Sequence, residues 1–314
     1  MRKVCVLIPY YGRWPLFLPI FLKSCSYNSH ISFLFFTDLV PPATYPGNVY
    51  FHSIPFSGIR NLINNIVGFD TALATPYKLC DVRPAYGLMF KDYIAGYDYW
   101  AWGDIDVILG FNDSHIRELL ADVTNGYDLI SFRKNWVSGS LSLVRNNETM
   151  NTLFLTSSDL KKILSSPEYM GFDEISLSWH QVRNRPIEEV RFPHDNFTWL
   201  VKNAAKQGLL TAYFGDHIKE SISEGDFVMV DNGRVLDGHG TSYLHYHYIT
   251  EKRRPYFNYP KWSDIPDRFY ITTTGFYTEH EFRAKKWIGF FRMMFSVPFM
   301  AIDYAKRITR RLSR

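Results

Sequence analysis

Apolar and polar positions alternate along the chain in blocks that predict an α/β fold. Arg2–Pro9 and Ile31–Thr37 are apolar runs that end in polar turns, which is typical of buried strands. Between them, Leu16–Ser26 has the spacing of an amphipathic helix. A strand, a helix and a strand in this order predict a parallel α/β unit, whose ligand chemistry lies at the carboxyl ends of the strands.

The later blocks extend this alternation to about residue 215, and further strands follow it. The pattern predicts helical segments at Gly58–Val67, Pro76–Ile94 and His115–Val123, and strands at Tyr97–Gly103, Asp128–Arg133, Ser140–Val144, Phe227–Val230 and Ser242–Tyr248. No internal repeat or low-complexity linker interrupts the series. We therefore predict one continuous domain over residues 1–278, followed by a tail over residues 279–314.

Charge is concentrated in the tail. Residues 279–314 carry nine Lys and Arg against three acids, a net charge of +6, which leaves −2 for the rest of the chain. Its apolar stretch Trp287–Ile302 is interrupted by Arg292 and Pro298 and is too short to span a bilayer. We predict an amphipathic helix that lies on an anionic membrane surface; the alternative is a helix packed on the body. Basic residues placed beside Trp, Phe and Met argue against nucleic-acid binding.

Composition places the protein among ordinary globular chains and predicts a reducing compartment. Of the 314 residues, 46% are hydrophobic and 21% are charged, which argues against the disordered, collagen-like and coiled-coil classes. Three cysteines are too few for a disulfide framework or a zinc cage. The apolar start of the chain breaks at Pro9, too early for a secretion signal. We therefore predict a cytoplasmic protein, peripheral on the inner face of the cell membrane.

The passage with the clearest chemistry is Asp104-Ile105-Asp106, which follows the predicted strand Tyr97–Gly103. In an extended chain, residues two apart face the same side, so both carboxylates could address one cation. Two neighbouring acids without a cation would repel each other, whereas a hard divalent ion with oxygen ligands removes that penalty. Such pairs are also common on solvated loops. The position at the end of a buried strand favours a metal site.

Two further groups of residues carry candidate chemistry. Lys78, Asp81 and, less directly, Arg83 fall near one helical face, either as a surface ion pair or as a contact to a diphosphate or sugar hydroxyl. His245 and His247 lie on one face of a predicted strand, and imidazole suits a divalent ion such as Mn²⁺. One of the two could bind metal while the other packs in the core.

In this order the motifs resemble those of nucleotide-sugar glycosyltransferases with the GT-A fold. The residues that carry the resemblance are the turn after the first strand, Lys78-x-x-Asp81-x-Arg83, Asp104-Ile105-Asp106, Gly139-x-x-x-x-x-Arg145-Asn146, Phe172-Asp173-Glu174 and a late His245. The set covers roughly residues 2–255 and looks most like the bacterial polysaccharide-assembly members. It implies a Rossmann-type mixed sheet flanked by helices.

The resemblance also implies roles for individual residues. The nucleoside would lie at the end of the first strand, against Pro9, Tyr10 and Tyr11, with Asp38 nearby. Lys78, Asp81, Arg83 and the segment Asp104-Ile105 would contact the donor sugar or its phosphates. Asp104 and Asp106 would bind the metal, Asp106 more directly, with His245 completing the site. Mn²⁺ is the expected ion, with Mg²⁺ as the second choice.

Asp173 and Glu174 form the candidate acceptor region. In an inverting enzyme, one of these carboxylates would take the proton of the acceptor hydroxyl. The same segment also resembles the Asp-Gln segment of retaining members, in which no such base is needed. A third reading makes Asp173 the cap of a helix that starts at Glu174.

These observations predict a metal-dependent glycosyltransferase of the hexosyltransferase type. It would move a sugar from a nucleotide-diphosphate sugar, with UDP-sugars first, to a glycan or lipid-linked glycan in surface polysaccharide synthesis. Two alternatives stay open at this point. One is a metal-dependent phosphate or glycoside hydrolase that uses the Asp and His residues, and the other is a noncatalytic sugar-binding module that uses the many aromatic rings.

Overall fold

The structure is a computed structural model that describes residues 2–284. The strands are β1 (Val4–Pro9), β2 (Ile31–Thr37), β3 (Val49–Ser53), β4 (Tyr99–Gly103), β5 (Val107–Leu109), β6 (Leu129–Ser131), β7 (Leu141–Arg145), β8 (Ala212–Phe214), β9 (Ile218–Lys219), β10 (Val228–Asp231), β11 (Arg234–Asp237), β12 (Ser242–Tyr243), β13 (His245–His247), β14 (Arg268–Thr272) and β15 (Gly275–Thr278). The α-helices are α1 (Leu18–Ser26), α2 (Phe56–Val67), α3 (Tyr86–Met89), α4 (Ser114–Gly126), α5 (Glu148–Thr152), α6 (Leu160–Leu164), α7 (Trp179–Asn184), α8 (Phe197–Lys206) and α9 (Glu279–Ala284).

The described chain divides into two compact units. Within the described residues, the first contains residues 2–15, 28–105 and 117–217, and the second contains residues 16–27, 106–116 and 218–284. Of the predicted tail, only helix α9 is described, and Trp287–Ile302 lies outside the described residues. The predicted boundary at residue 278 therefore stays a prediction. Within residues 2–284, every helix is too short or too polar to cross a membrane.

The first unit is built on a mixed sheet of seven strands in the order β3-β2-β1-β4-β7-β6-β8. β1 pairs in parallel with both β2 and β4, whereas β7 runs antiparallel to β4 and β6. Strands β1, β2 and β4 are buried along nearly their whole length, as their continuous apolar sequences predict. The α/β class and the mixed sheet flanked by helices are thus confirmed.

The core of this unit joins the sheet to its helices. Trp100 and Trp102 of β4 are fully buried in one cluster with Ile63 of α2 and with Phe197 and Val201 of α8. Their indole N–H groups still find acceptors, the Asn151 side chain at 2.7 Å and the Ser138 carbonyl at 3.0 Å. Large aromatic side chains therefore fix β4, the strand that ends immediately before Asp104.

The second unit contains two smaller sheets. One has the order β12-β11-β10-β14-β15 and is antiparallel throughout, and the other has the order β5-β13-β9. In the latter, β13 is antiparallel to β5 and pairs His247 with Val107 and His245 with Leu109. The predicted strand Ser242–Tyr248 is therefore divided between two sheets, with the break at Leu244.

Two stretches differ from the helices and strands that the sequence predicts. The predicted long helix Pro76–Ile94 is a 3₁₀ helix over Pro76–Ala85, followed by the single turn of α3. Pro84 lacks the N–H that an α-helix needs at this position and its ring crowds the preceding turn, which favours the tighter helix. Between residues 146 and 211 the chain is helical and irregular, so the predicted strand and helix alternation ends earlier than expected.

Candidate functional site

The carboxyl ends of β1 and β4 meet at one edge of the sheet of the first unit. Leu7 of β1 lies opposite Trp102 of β4, and β1 has β2 as its neighbour on the other side. Connections that leave a parallel sheet in opposite directions open a crevice at this point, and ligands bind there in α/β folds. The residues that follow these two strands, Tyr10 and Asp104, are therefore placed where a ligand site is expected.

The turn after β1 supplies aromatic surface at this edge. The ring of Tyr10 stacks on Trp14, with centroids 5.2 Å apart and planes tilted by 9°. Tyr11 is buried, and its hydroxyl donates to the Ile54 carbonyl at 2.9 Å. Pro9 is half-buried and Asp38, at the end of β2, is exposed. Tyr10 thus offers a positioned ring, while the Tyr11 hydroxyl is already used inside the protein.

Arg83 is the centre of a hydrogen-bond network at this edge. Its guanidinium is almost completely buried and donates to the Gly139 carbonyl and to Asp173 Oδ2, both at 2.8 Å, and to Asp104 Oδ1. Gly139 fits because it has no side chain: a Cβ there would lie 3.0 Å from both Arg83 Nη1 and Glu174 Oε1. The network holds the Asp104 carboxylate in one orientation at the end of β4.

Asp173 and Glu174 belong to the same network. Asp173 is fully buried, and its other carboxylate oxygen accepts from the Tyr169 hydroxyl at 2.8 Å. Burial, and then the nearby carboxyl of Glu174, raise the pKa of Asp173 to about 8, although Arg83 opposes the shift. Glu174 accepts from the Gly139 N–H at 2.7 Å and from the Trp179 indole at 3.0 Å.

This geometry bears on the three readings of the acceptor region. The helix that follows starts at Trp179, so Asp173 does not cap a helix at Glu174. Each oxygen of Asp173 and of Glu174 has a partner within the first unit. Both carboxylates are therefore engaged in holding Arg83, Gly139 and the turn, which does not support the base role that was expected of them.

Lys78 and Asp81 form a buried structural pair rather than the surface ion pair that their spacing suggested. Lys78 Nζ donates to Asp81 Oδ2 at 2.8 Å and to the carbonyls of Ile163 at 2.8 Å and Glu168 at 2.7 Å. An ammonium has three N–H groups, and these three bonds use all of them. Asp81 in turn accepts the N–H groups of Met170 and Phe172, each at 2.7 Å. The expected contact of Lys78 with a donor phosphate is therefore not supported.

The second unit contains a compact group around Asp106. Asp106 is buried; its Oδ2 lies 3.2 Å from His247 Nε2 and also accepts from the Lys252 ammonium. The other ring nitrogen, Nδ1, lies 3.4 Å from Glu220 Oε1. Burial by itself would raise the pKa of Asp106, but His247 first and then Lys252 hold it well below its ordinary value. The Asp106 carboxylate is thus ionised at neutral pH.

The donor set fits a divalent cation. Asp106 and His247 of the second unit are in contact, and only Ile105, itself buried, separates Asp106 from Asp104 in the chain. Carboxylate oxygens with one imidazole nitrogen suit Mn²⁺ and similar ions. A carboxylate on Nδ1, here Glu220, favours the tautomer that presents Nε2 to a metal. His245 is fully buried two residues earlier on β13, and the contact with Asp106 is made by His247.

Several residues of these groups were not found from the sequence. Lys252 and Glu220 reach Asp106 and His247 from segments 146 and 27 residues away in the chain, and Tyr169 supports Asp173 through its hydroxyl. The only available signal was a basic run that begins at Lys252, shortly after the predicted His strand. A run of this kind is ordinarily a solvated turn, so it could not be singled out.

Comparison with known proteins gives a family match and a number of remote structural similarities, two of which follow. The apo form of mouse xyloside xylosyltransferase 1 is 11% identical, with 79% of this chain and 97% of that chain covered and a TM-score of 0.38. The apo glycosyltransferase GlyE of Streptococcus pneumoniae TIGR4 is 13% identical, with 67% and 44% covered and a TM-score of 0.29. Both TM-scores are too low to establish a shared fold, and no curated protein matches. The model of the Family of unknown function (DUF6625) matches residues 6–280, and the chain belongs to this family.

Proposed function

We propose that the protein is a metal-dependent glycosyltransferase that moves a sugar from a nucleotide-diphosphate sugar to a glycan or lipid-linked glycan. The observation that carries the proposal is the setting of Asp104-Ile105-Asp106. Asp104 leaves β4 beside β1, where α/β sheets bind ligands, and Asp106 is buried against His247. The order of motifs along the sequence resembles that of GT-A glycosyltransferases, which makes this the most specific activity that fits the residues.

In this proposal Asp104, Asp106 and His247 hold the divalent cation, with Mn²⁺ preferred over Mg²⁺. A bound cation of this kind stabilises the negative charge of a departing diphosphate as a Lewis acid, without proton transfer. Asp106 and His247 are oriented for the role because Glu220 lies at the far nitrogen of the ring and the carboxylate is ionised. The metal would also offset the net charge of −2 of the chain before residue 279.

Two cationic side chains stand next to these ligands and have separate roles in the proposal. Arg83 fixes the Asp104 carboxylate through its guanidinium, which is itself fixed by Asp173 and Gly139. Lys252 contacts Asp106, and 28% of its side chain is exposed. An exposed ammonium beside the metal ligands can contact a phosphate oxygen of the donor.

The aromatic turn after β1 is assigned to the nucleoside. Tyr10 presents its ring at the same sheet edge as Asp104, and stacking on Trp14 restricts its orientation. Pro9 and Asp38 border this turn, while Tyr11 supports it from inside through its bond to Ile54. UDP is the first nucleotide to test. Hexosyl transfer and a place in bacterial surface polysaccharide synthesis are further parts of the proposal.

A membrane acceptor would account for the tail. We place the protein at the inner face of the cell membrane, with residues 1–278 as the catalytic part and residues 279–314 as the membrane-associating part. The net charge of +6 in these 36 positions is the supporting observation.

Calorimetric titration of the full chain with UDP tests the activity class directly. We expect UDP binding that requires Mn²⁺, together with slow Mn²⁺-dependent hydrolysis of a UDP-sugar. Asp106→Asn should abolish both while the far-UV circular dichroism spectrum is unchanged. Metal binding without nucleotide affinity would instead support a hydrolase that uses the same ligands, and near-normal turnover of Asp106→Asn would refute the metal role.

A further inference from the structure

A cleft in the first unit is lined by residues that the proposed chemistry does not use. Its volume is about 480 Å³, within the usual range of roughly 300 to 1,000 Å³ for small-molecule sites. The walls are formed by the segment Glu188–Asp195 together with Asp159 and Trp199. We call it the Trp199 cleft.

An exposed aromatic ring is the central feature of the cleft. Trp199 keeps 37% of its surface exposed, although a ring of this size is usually well buried. Phe192 lies beside it, with ring centroids 6.4 Å apart and planes tilted by 55°. Phe192 also packs against the buried cluster that contains Ile187 and Val190. The two rings thus form an angled apolar surface anchored to a small core.

The position of Trp199 is fixed by its backbone. Trp199 is the third residue of α8, and its N–H donates at 2.9 Å to the side chain of Asn196, the helix cap. The amide of Asn196 donates at 3.0 Å to the Ser176 hydroxyl, which in turn donates to the His194 carbonyl at 3.0 Å. These groups are buried, so the ring is presented by a preorganised support.

Hydrogen-bonding groups surround the rings. Glu189 and Arg191 are exposed, and within residues 2–284 neither side chain makes a hydrogen bond or an ion pair. They can accept from and donate to the hydroxyls of a ligand. Asp195, by contrast, is part of the support, because its Oδ2 accepts from Ser157 and Ser158.

The charge of the cleft decides which class of ligand fits. Its lining residues include four carboxylates and one guanidinium, Arg191. A diphosphate would be repelled, so the cleft is not a second donor site. A pyranose presents an apolar C–H face to aromatic rings and hydroxyls to carboxylates, and it carries no charge. We infer that the Trp199 cleft binds a neutral saccharide, and, on the basis of the proposed function, that this saccharide is part of the glycan acceptor.

A physical connection links the cleft to the Arg83 network. Ser176, which holds His194 and Asn196, follows Asp173 and Glu174 in the same turn. Ser176 and Leu177 both adopt left-handed backbone conformations, with φ of 52° and 60°, which side-chain-bearing residues rarely adopt. The turn is therefore tightly specified, and it holds the support of the cleft and the Arg83 network in one rigid segment.

Saturation-transfer NMR on the full chain tests the inference, with methyl α- and β-glycosides of glucose, galactose, mannose and N-acetylglucosamine as probes. We expect at least one glycoside to bind, with an affinity about tenfold weaker in Trp199→Ala because the stacking surface is lost. Trp199→Phe should recover part of that affinity. Tyr50→Ala, which removes a ring that is 46% exposed on β3, is the matched control and should bind like the unchanged protein.

Failure of the cleft and failure of the proposed function give different results. Mn²⁺-dependent hydrolysis of a UDP-sugar should be unaffected in Trp199→Ala. If hydrolysis is present but no glycoside binding depends on Trp199, the saccharide assignment of the cleft is wrong and the proposed function stands. A hexalysine peptide tests the carboxylates of the lining, and a cleft that binds this peptide and no glycoside would also refute the saccharide assignment. Trp199-dependent binding in a protein that shows no metal-dependent hydrolysis would support the saccharide site and overturn its assignment to an acceptor.

Discussion

Replacing Lys78 by methionine separates a structural role from a donor contact. The substitution keeps the aliphatic volume but removes an ammonium that is 1% exposed and makes three hydrogen bonds. It leaves the Asp81 carboxylate buried without its cation and removes the ammonium donor from the carbonyls of Ile163 and Glu168. Removing one partner of a buried ion pair typically costs about 3 to 5 kcal/mol, a large part of a total stability of roughly 5 to 15 kcal/mol.

The chain contains a matched control for this prediction. Lys162 and Asp159 have the same spacing of three residues, but their nitrogen and oxygen are 4.0 Å apart and the Lys162 side chain is 58% exposed. Lys162→Met should therefore change the free energy of unfolding by less than about 1 kcal/mol. Urea unfolding at 15 °C, followed by tryptophan fluorescence, measures both variants under one set of conditions.

The donor affinity decides between the two roles of Lys78. If Lys78 is structural, Lys78→Met lowers the urea midpoint strongly, while the folded protein binds UDP in the presence of Mn²⁺ with an unchanged Kd. A variant that unfolds like the unchanged protein but binds UDP more than tenfold more weakly would refute this reasoning. It would restore the phosphate contact that the motif resemblance implied.

Four further predictions concern individual groups. His247→Ala should weaken Mn²⁺ binding in calorimetry by about 10- to 100-fold, whereas His245→Ala should lower stability and leave the metal affinity within about threefold; equal effects on metal affinity would contradict the assignment. The pKa of Asp173 is raised to about 8 in the folded state. Between the ordinary pKa of an aspartate and about pH 8, the folded protein therefore binds more protons than the unfolded chain. The free energy of unfolding falls as the pH rises through this range. Urea titrations should show that the free energy of unfolding falls by more than about 1 kcal/mol across this range relative to Asp173→Asn. Parallel pH profiles of the two proteins would exclude a raised pKa of Asp173. Gly139→Ala should cost about 1 to 3 kcal/mol because its Cβ would press on Arg83 and Glu174, whereas Gly126→Ala, whose Cβ meets no atom within 4 Å, should cost nothing. Removing residues 279–314 should release the protein from anionic vesicles in a flotation assay and spare UDP-sugar hydrolysis, and undiminished vesicle binding would refute the tail assignment.

The sheet of the first unit could be predicted because its strands are marked by continuous apolar runs. Val4–Pro9, Ile31–Thr37 and Tyr99–Gly103 lie within two residues of their predicted limits, and the acids at Asp104 and Asp106 follow as expected. Burial on both faces leaves little alternative for such segments. The position of Asp104 beside β1 then follows from parallel pairing.

The details of the site depended on contacts that a sequence does not contain. The spacing of Lys78 and Asp81 is the same on a surface helix and in a core, and only the carbonyls of Ile163 and Glu168 decide between them. His245 and His247 share one strand face, so the choice between them required the contact of His247 with Asp106. Lys252 reaches Asp106 across 146 residues, and no local pattern records such a contact.

The reversed direction of β7 has a consequence for how this protein could change during evolution. Because β7 runs against β4, it brings its beginning to the Asp104 edge: the Asp104 N–H donates to the Ser140 carbonyl at 3.0 Å, and Gly139 stands just before it. The residues ahead of Leu141 are thus tied to this edge, because the carbonyl and the N–H of Gly139 bond Arg83 and Glu174 and the Ser138 carbonyl accepts from the Trp102 indole. A mutagenesis library aimed at a new sugar preference would best leave Ser138 and Ser140 unchanged, since both are buried and their hydroxyls lie 3.0 Å apart.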